Sequence, residues 1–239
     1  EAAPQTFMEH PKALAAVAAA LDPQHSVPVN VRAIAANRRL GTIASAKRIS
    51  GFLATPNLGR ALRVEALYAL QSWPQASTLD PIDGRYFPIP AGDLDTLSAA
   101  IGPEIWSLAN DADDKVSRRA ISVLQSIKPS KAQRDQVAGF VLDEGQRSTV
   151  RKAWLRWLRK QDLALFTSVG VKALYSKSPE LRVVAAQELT EAKQGRSAVN
   201  SYLLATLKNS GDIVELQRAI KMVPRLPSKK SIIEQLVKE

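Results

Sequence analysis

The side chains that could do chemistry are few in this sequence, and they are spread along it. Its 239 residues contain no cysteine, which excludes disulfides, thiolate metal sites and a cysteine nucleophile. The two histidines, His10 beside a proline and His25 in a turn, lack the neighbours that a zinc site or a catalytic triad needs. No glycine-rich loop typical of nucleotide-phosphate binding is present. We therefore predict no catalytic residue, no metal and no cofactor.

One acidic cluster, formed by Asp111, Asp113 and Asp114, is similar to the start of a metal-binding loop. Its spacing lacks the central glycine and the distal glutamate of a calcium loop. Acidic residues just before a helix also stabilise it, because the helix N-terminus carries a partial positive charge. We interpret the three aspartates as turn residues that favour the helix after them.

Positive charge is the strongest functional signal. The chain carries a net charge of +10, and residues 115–160 contain 12 basic and 3 acidic side chains. Lys152, Arg156 and Arg159 share one face of a predicted helix at 150–160. A basic strip on a concave surface would suit phosphate or an acidic partner, and a solvated helix face is the alternative interpretation.

The opposite face of the same predicted helix is apolar. Val150, Trp154, Trp157 and Leu158 recur there at the spacing of an amphipathic helix. We therefore expect the two tryptophans to be core residues rather than platforms on which nucleic-acid bases stack.

Composition and an internal repeat both indicate helices. Apolar residues make up 45% of the sequence but aromatic residues only 5%, which favours closely packed helices over a β-sandwich. A pattern of an apolar residue, arginine, alanine and leucine recurs along the chain. Its clearest copy is Leu62, Arg63, Ala66, Leu67 and Leu70. Most later copies follow at intervals of 31 or 34 residues.

Each copy follows a turn, and each turn follows another amphipathic stretch, so the repeating unit is helix, turn, helix. The first helices are predicted at 8–21, 42–54, 93–110, 130–143, 162–175 and 196–208. Ser130 and Ser178 are placed to cap helices, and 231–238 is typical of one further first helix. Because one pair cannot bury its apolar stripe, we predict an all-α fold, an α-solenoid of about six stacked pairs plus a terminal helix.

The repeat resembles the HEAT-repeat family, especially the short phycobilisome-lyase-like repeats of bacterial proteins. Those units read Asp-x-Asp-x-x-Val-Arg-x-x-Ala-x-x-x-Leu, and residues 110–124 come closest. The resemblance covers nearly all of residues 1–239 and implies a single armadillo-like superhelix. In this family the turn acid and the second-helix arginine often stack between units. The arginine position is occupied by Arg32, Arg63, Arg151 and Arg182. Ser117 and Leu216 depart from it.

Residues 74–92 interrupt the repeat with an insertion whose prolines and glycines exclude a helix. Asp83-Gly84 predicts a turn, and we expect Tyr86 and Phe87 to hold the loop against the helices. A long structured loop within a compact array is often functional. A loop that only covers an exposed groove is the alternative.

The insertion and the helix before it are also similar to part of large multidomain bacterial proteins. The matching stretches are Arg63-Val64-Glu65-Ala66-Leu67, Trp73-Pro74, Leu79-Asp80 and Asp83-Gly84-Arg85-Tyr86. Those proteins join a sugar-dehydrogenase-like β-propeller, a HEAT segment and a cytochrome c-like haem domain, and they are exported. The resemblance implies that this chain is the middle segment of an exported or periplasmic protein. Because residue 1 is Glu rather than Met, we expect a processed protein or a piece of a longer one.

We therefore expect a non-catalytic scaffold that binds a protein partner or a neighbouring domain of the same polypeptide. No apolar run is long enough to span a membrane. The alternative is a nucleic-acid-binding protein, since some HEAT-like solenoids are DNA glycosylases with a basic concave face. A bilin or cofactor lyase is suggested by the family name alone. The candidate binding residues are Lys152, Arg156, Arg159, Arg118, Arg119, Arg85 and Tyr86.

Overall fold

A computed structural model describes residues 11–80, 84 and 86–237. Apart from one short hairpin, the regular elements in these ranges are helices, which confirms the all-α prediction. The chain divides into two compact units, residues 1–128 (unit 1) and 129–239 (unit 2). One superhelix through both units stays a prediction.

Unit 1 contains three helix pairs within its described residues. Its helices are α1 Pro11–Ala19, α2 Val27–Leu40, α3 Ile43–Leu53, α4 Arg60–Gln71, α5 Leu94–Ala100, α6 Pro103–Leu108 and α7 Asp114–Leu124. The second helices of the pairs, α2, α4 and α7, pack side by side. Helix α3 packs against both α5 and α6 in the other layer. This is the two-layered arrangement that the repeat predicts.

In its described part, residues 129–237, unit 2 continues the pattern with three further pairs and a last helix. Its helices are α8 Lys131–Leu142, α9 Ser148–Gln161, α10 Leu163–Ala173, α11 Pro179–Glu191, α12 Arg196–Asn209, α13 Ile213–Met222 and α14 Lys229–Val237, with a 3₁₀ turn at Val223–Arg225. Helices α9, α11 and α13 pack side by side, while α8 packs on α10 and α12 on α14. The terminal helix is therefore confirmed, two residues earlier than its predicted start.

Short polar side chains begin many of these helices, because the first backbone N–H groups of a helix have no partner inside it. Ser130 and Gln133 form a reciprocal capping box at the start of α8. The Ser178 hydroxyl accepts the backbone N–H of Leu181 at the start of α11. Asp113 accepts two backbone N–H groups at the start of α7, as expected for a turn residue.

The stretch 93–110, which the sequence predicts as one first helix, forms the two short helices α5 and α6. The break comes at Gly102, just before Pro103. Proline has no N–H to donate, and it disfavours helical backbone in the residue before it. The amphipathic pattern continues across this break, which is why periodicity alone joins the two helices.

The buried seam consists of the small and branched residues that the repeat specifies. Ala66, Ala120 and Ala185 are fully buried, so neighbouring helices approach closely at these positions. Trp154 and Trp157 are fully buried in unit 2, with their rings edge to face and 5.6 Å apart. Both tryptophans are therefore core residues, as predicted. No helix in the described ranges is both long and apolar enough to cross a membrane.

The insertion between α4 and α5 forms an antiparallel hairpin of β1 (Ser77–Leu79) and β2 (Tyr86–Ile89). Gly84 has a φ of 69°, a conformation that favours glycine in a turn. Ile89, rather than Tyr86, is buried against the helices. Tyr86 is 75% exposed, so its expected role of holding the loop is wrong. The side chain of Phe87 lies outside the described part of the structure.

Candidate binding surfaces

The basic face of α9 is held by acidic residues on α11. The Nε of Arg156 donates to Glu188 Oε1 at 2.8 Å, and Arg159 Nη1 donates to Glu188 Oε2 at 2.5 Å. Arg159 also donates to Glu191 Oε2 at 2.7 Å. These hydrogen bonds to Glu191 and Glu188 raise the pKa of Arg159. Two of the three predicted strip residues therefore join neighbouring helices of unit 2.

The third strip residue, Lys152, faces an acidic residue as well. Hydrogen bonds at Ser178 and at the backbone lower the pKa of Glu180, and the positive charge of Lys152 contributes to that shift. The predicted strip is thus largely balanced by carboxylates of α11. Unit 2 nevertheless contains 20 basic and 11 acidic residues, a net charge of +9, so its excess positive charge lies elsewhere.

Two repeat arginines of unit 2 are anchored at the turns. Arg151, which is almost fully buried, donates from Nε to the carbonyl oxygen of Val141 at 2.8 Å. Its two Nη atoms donate to the Glu144 carboxylate at 2.8 and 3.0 Å. These bonds from Arg151 and others from the next turn outweigh partial desolvation and hold the pKa of Glu144 at about 2. The next turn is joined as well, because the Ser176 hydroxyl donates to Glu144 Oε1 at 2.8 Å.

The second of these arginines, Arg182, reaches the following helix pair. Its guanidinium bonds both carboxylate oxygens of Glu215, which also accepts a hydrogen bond from the Tyr202 hydroxyl at 2.9 Å. Burial alone would raise the pKa of Glu215, but the hydrogen bonds from Arg182 and Tyr202 outweigh it and lower that pKa. In unit 1, Arg63 pairs with Asp111 in the turn of the next pair. Ser117 occupies the position in α7 where other copies of the repeat have arginine, and its hydroxyl donates to a backbone carbonyl.

An open groove between α4 and α7 holds the basic candidates of unit 1. It has a volume of about 260 Å³ and is lined by Gln71, Lys115, Arg118, Arg119 and Ser122. Arg119 lies 4.9 Å above the ring of Tyr68 and donates to Gln71 Oε1 at 2.5 Å. Within the described residues, none of the three cations forms an ion pair with a carboxylate. This groove, the α4–α7 groove, is therefore a preformed cationic surface with an aromatic side chain at its edge.

Sequence reasoning missed Arg38, which holds the base of the hairpin. This side chain is only 4% exposed, and its guanidinium donates to the carbonyl oxygens of Ser72, Gln75 and Pro90. It also lies 5.6 Å from the centre of the Trp73 ring. The first repeat copy carries Arg39 where the repeat expects leucine, and this departure beside Arg38 is the signal that the sequence offers.

Arg38 also lines a small cavity of about 140 Å³ under the hairpin, together with Glu65, Tyr68 and Ile89. Desolvation raises the pKa of Glu65, an effect that the nearby charge of Arg119 partly offsets. Burial lowers the pKa of Arg38. The cavity thus places a carboxyl group and a guanidinium in a partly desolvated setting, where the hydrogen bonds of Arg38 indicate a role in holding the hairpin.

The predicted binding residues do not fall in one unit. Arg118 and Arg119 lie on α7 in unit 1, and Lys152, Arg156 and Arg159 lie on α9 in unit 2. Tyr86 lies exposed on the hairpin of unit 1, and Arg85 and His10 lie outside the described residues. Their role in binding stays a prediction.

The residues described here include no group of three or more histidine, aspartate or glutamate side chains that could hold a metal ion. The sequence matches no protein-family model and no curated protein.

Proposed function

We propose that this chain is a non-catalytic helical-repeat scaffold that binds a protein partner or a neighbouring domain of the same polypeptide. The support is the way in which its polar side chains are used. Arg151, Arg156, Arg159 and Arg182 pair with glutamates that join one helix or turn to the next. Side chains tied in this way position helices and are not poised for acid–base work.

The surface that best fits partner binding is the α4–α7 groove. Lys115 and Arg118 are exposed there, and Arg119 is ordered by stacking on Tyr68. Arginines bind carboxylates through paired hydrogen bonds, and a pre-positioned side chain loses less conformational freedom on binding. We therefore assign the groove to an acidic segment of the partner.

Binding of a fluorescein-labelled peptide of alternating glutamate and alanine tests this assignment by fluorescence anisotropy. Reversing two exposed charges, Lys115→Glu with Arg118→Glu, should weaken binding by about tenfold or more. Both side chains are exposed, so we expect unchanged helicity by circular dichroism. The matched control reverses Lys131 and Lys172, which are exposed lysines of unit 2 outside the groove. Equal losses in both variants, or no saturable binding by the unaltered protein, would contradict the groove assignment.

Nucleic-acid binding remains the second candidate because unit 2 carries a net charge of +9. Duplex DNA in the same anisotropy assay separates the two functions. The scaffold proposal expects DNA binding weaker than peptide binding and unaffected by Lys152→Glu, since that residue faces an acidic helix. Tight, salt-dependent DNA binding that Lys152→Glu abolishes would favour the nucleic-acid function instead.

A further inference from the structure

Three cations of unit 2 line one cleft near the end of the chain. The cleft has a volume of about 330 Å³ and lies between the end of α11, the start of α12 and the segment leading to α14. Lys193, Arg196 and Arg225 line it, and all three are exposed. Its floor is apolar, since Val199 and Leu226 are buried. None of the described residues that line it is acidic.

These cations differ from several arginines of unit 2 in having no ion-pair partner among the described residues. Arg151, Arg156, Arg159 and Arg182 each pair with a glutamate. Among the described residues, Lys193, Arg196 and Arg225 form no ion pair. Three like charges that converge on one cleft repel each other, so an anion bound between them relieves that repulsion. The cleft is thus one location of the excess positive charge of unit 2.

The backbone at the cleft adds to its positive potential. Lys193 and Gly195 both have φ values of 56°, so the chain turns sharply between α11 and α12 and brings Lys193 and Arg196 to the same cleft. Gly195 precedes α12, a helix of 14 residues, and offers no side chain to its first N–H groups. Those N–H groups and the helix dipole favour an anion on the same side as the three cations.

We propose that this cleft binds a phosphate group, either as free phosphate or as the monoester of a small organic molecule. A phosphate carries up to two negative charges and several acceptor oxygens, which match two guanidinium groups and one ammonium group. The buried floor formed by Val199 and Leu226 suits the organic part of a monoester. The site is separate from the α4–α7 groove, which lies in unit 1.

Titration of the full chain with inorganic phosphate and with phenyl phosphate tests the site by NMR. We expect saturable shifts of the backbone amide signals of Arg196 and Ser197 at the start of α12. Tighter binding of phenyl phosphate would identify a monoester as the source, and equal or tighter binding of inorganic phosphate would identify free phosphate.

The variant Arg196→Gln with Arg225→Gln should weaken phosphate binding by about tenfold or more. Both residues are exposed, so the fold should be retained, and unchanged amide signals elsewhere in unit 2 would verify this. The matched control, Lys131→Gln with Lys172→Gln, removes two charges of the same unit outside the cleft and should leave affinity within about twofold. Shifts that do not saturate, or equal losses in both variants, would overturn the proposal.

Discussion

Arg182 and Glu215 form a paired contact between two successive helix pairs, with Nε donating to Oε1 at 2.7 Å and Nη2 to Oε2 at 2.5 Å. The Glu215 side chain is 2% exposed, so this carboxylate relies on its protein partners rather than on water. Its other partners are the hydroxyls of Tyr202 and Ser210. One carboxylate therefore fastens α11, α12 and the turn before α13.

Glu215→Ala should lower the free energy of unfolding by about 2–3 kcal/mol, because it leaves the buried hydroxyl of Tyr202 and the half-buried guanidinium of Arg182 without their acceptor. Urea denaturation measures the change. Glu191→Ala is the matched control, since it also removes the glutamate partner of an arginine, but this carboxylate is 61% exposed. We expect it to cost less than about 0.5 kcal/mol. Equal costs for both variants would mean that burial does not set the strength of these pairs.

Acid should weaken the turn held by Glu144. The folded-state pKa of this residue is about 2, below its ordinary value of 4.5. A carboxylate whose pKa is lowered by folding makes its full contribution to stability at pH values above its ordinary pKa. This contribution disappears as the pH falls toward the folded-state pKa. The unfolding midpoints of the unaltered protein and Glu144→Gln should therefore differ at neutral pH and converge between about pH 4.5 and 2. A difference that stays constant with pH would contradict the pairing with Arg151.

Arg38→Lys should loosen the hairpin. A lysine has a single ammonium nitrogen in place of the planar guanidinium, whose two terminal nitrogens bond three separate carbonyls, so we expect at least one of these carbonyls to lose its donor. We expect a loss of about 1–3 kcal/mol in stability and faster hydrogen exchange at Gly92, whose N–H donates to the Trp73 carbonyl at 2.7 Å. Arg32→Lys on the same helix is the control and should leave Gly92 protected. Unchanged protection in Arg38→Lys would rule out this role.

The bond between Arg159 and Glu188 should be measurable as a coupling between two substitutions. A double-mutant cycle with Arg159→Gln and Glu188→Gln should give an interaction energy of about 0.5–1 kcal/mol in urea denaturation. The same cycle with Arg156 should give less, because its side chain is 52% exposed and that of Arg159 is 30% exposed. Coupling energies near zero for both pairs would show that Arg156 and Arg159 do not stabilise the packing of α9 on α11. They would then again be candidate binding residues.

The local pattern of the sequence is enough to predict the helices and the residues that they bury. The spacing around Ala66 and Ala185 places apolar residues on one helical face, and this periodicity depends only on the geometry of the α-helix. Ser130 and Ser178 begin helices for an equally local reason, because a hydroxyl reaches the nearest free N–H groups. The pattern predicts one helix in place of the short helices α5 and α6, because apolar residues continue at helical spacing on both sides of Gly102.

The partners of the charged residues could not be predicted in the same way. Arg156 and Glu188 are 32 residues apart, and Arg38 lies 52 residues from Pro90. Which charges meet depends on the rotation and offset of one packed helix against another, and the repeat pattern specifies neither. For this reason the sequence leaves the face of α9 open between a basic binding strip and a solvated helix face. It gives no sign of the cleft that Lys193, Arg196 and Arg225 line.

The helix pairs follow from the amino-acid sequence alone, because the spacing of neighbouring apolar residues specifies which face of each helix is buried. Which cations are neutralised and which remain available depends on how the helices pack against one another. An ion pair forms where two side chains from distant parts of the chain come within a few ångströms of each other, and packing alone brings them there.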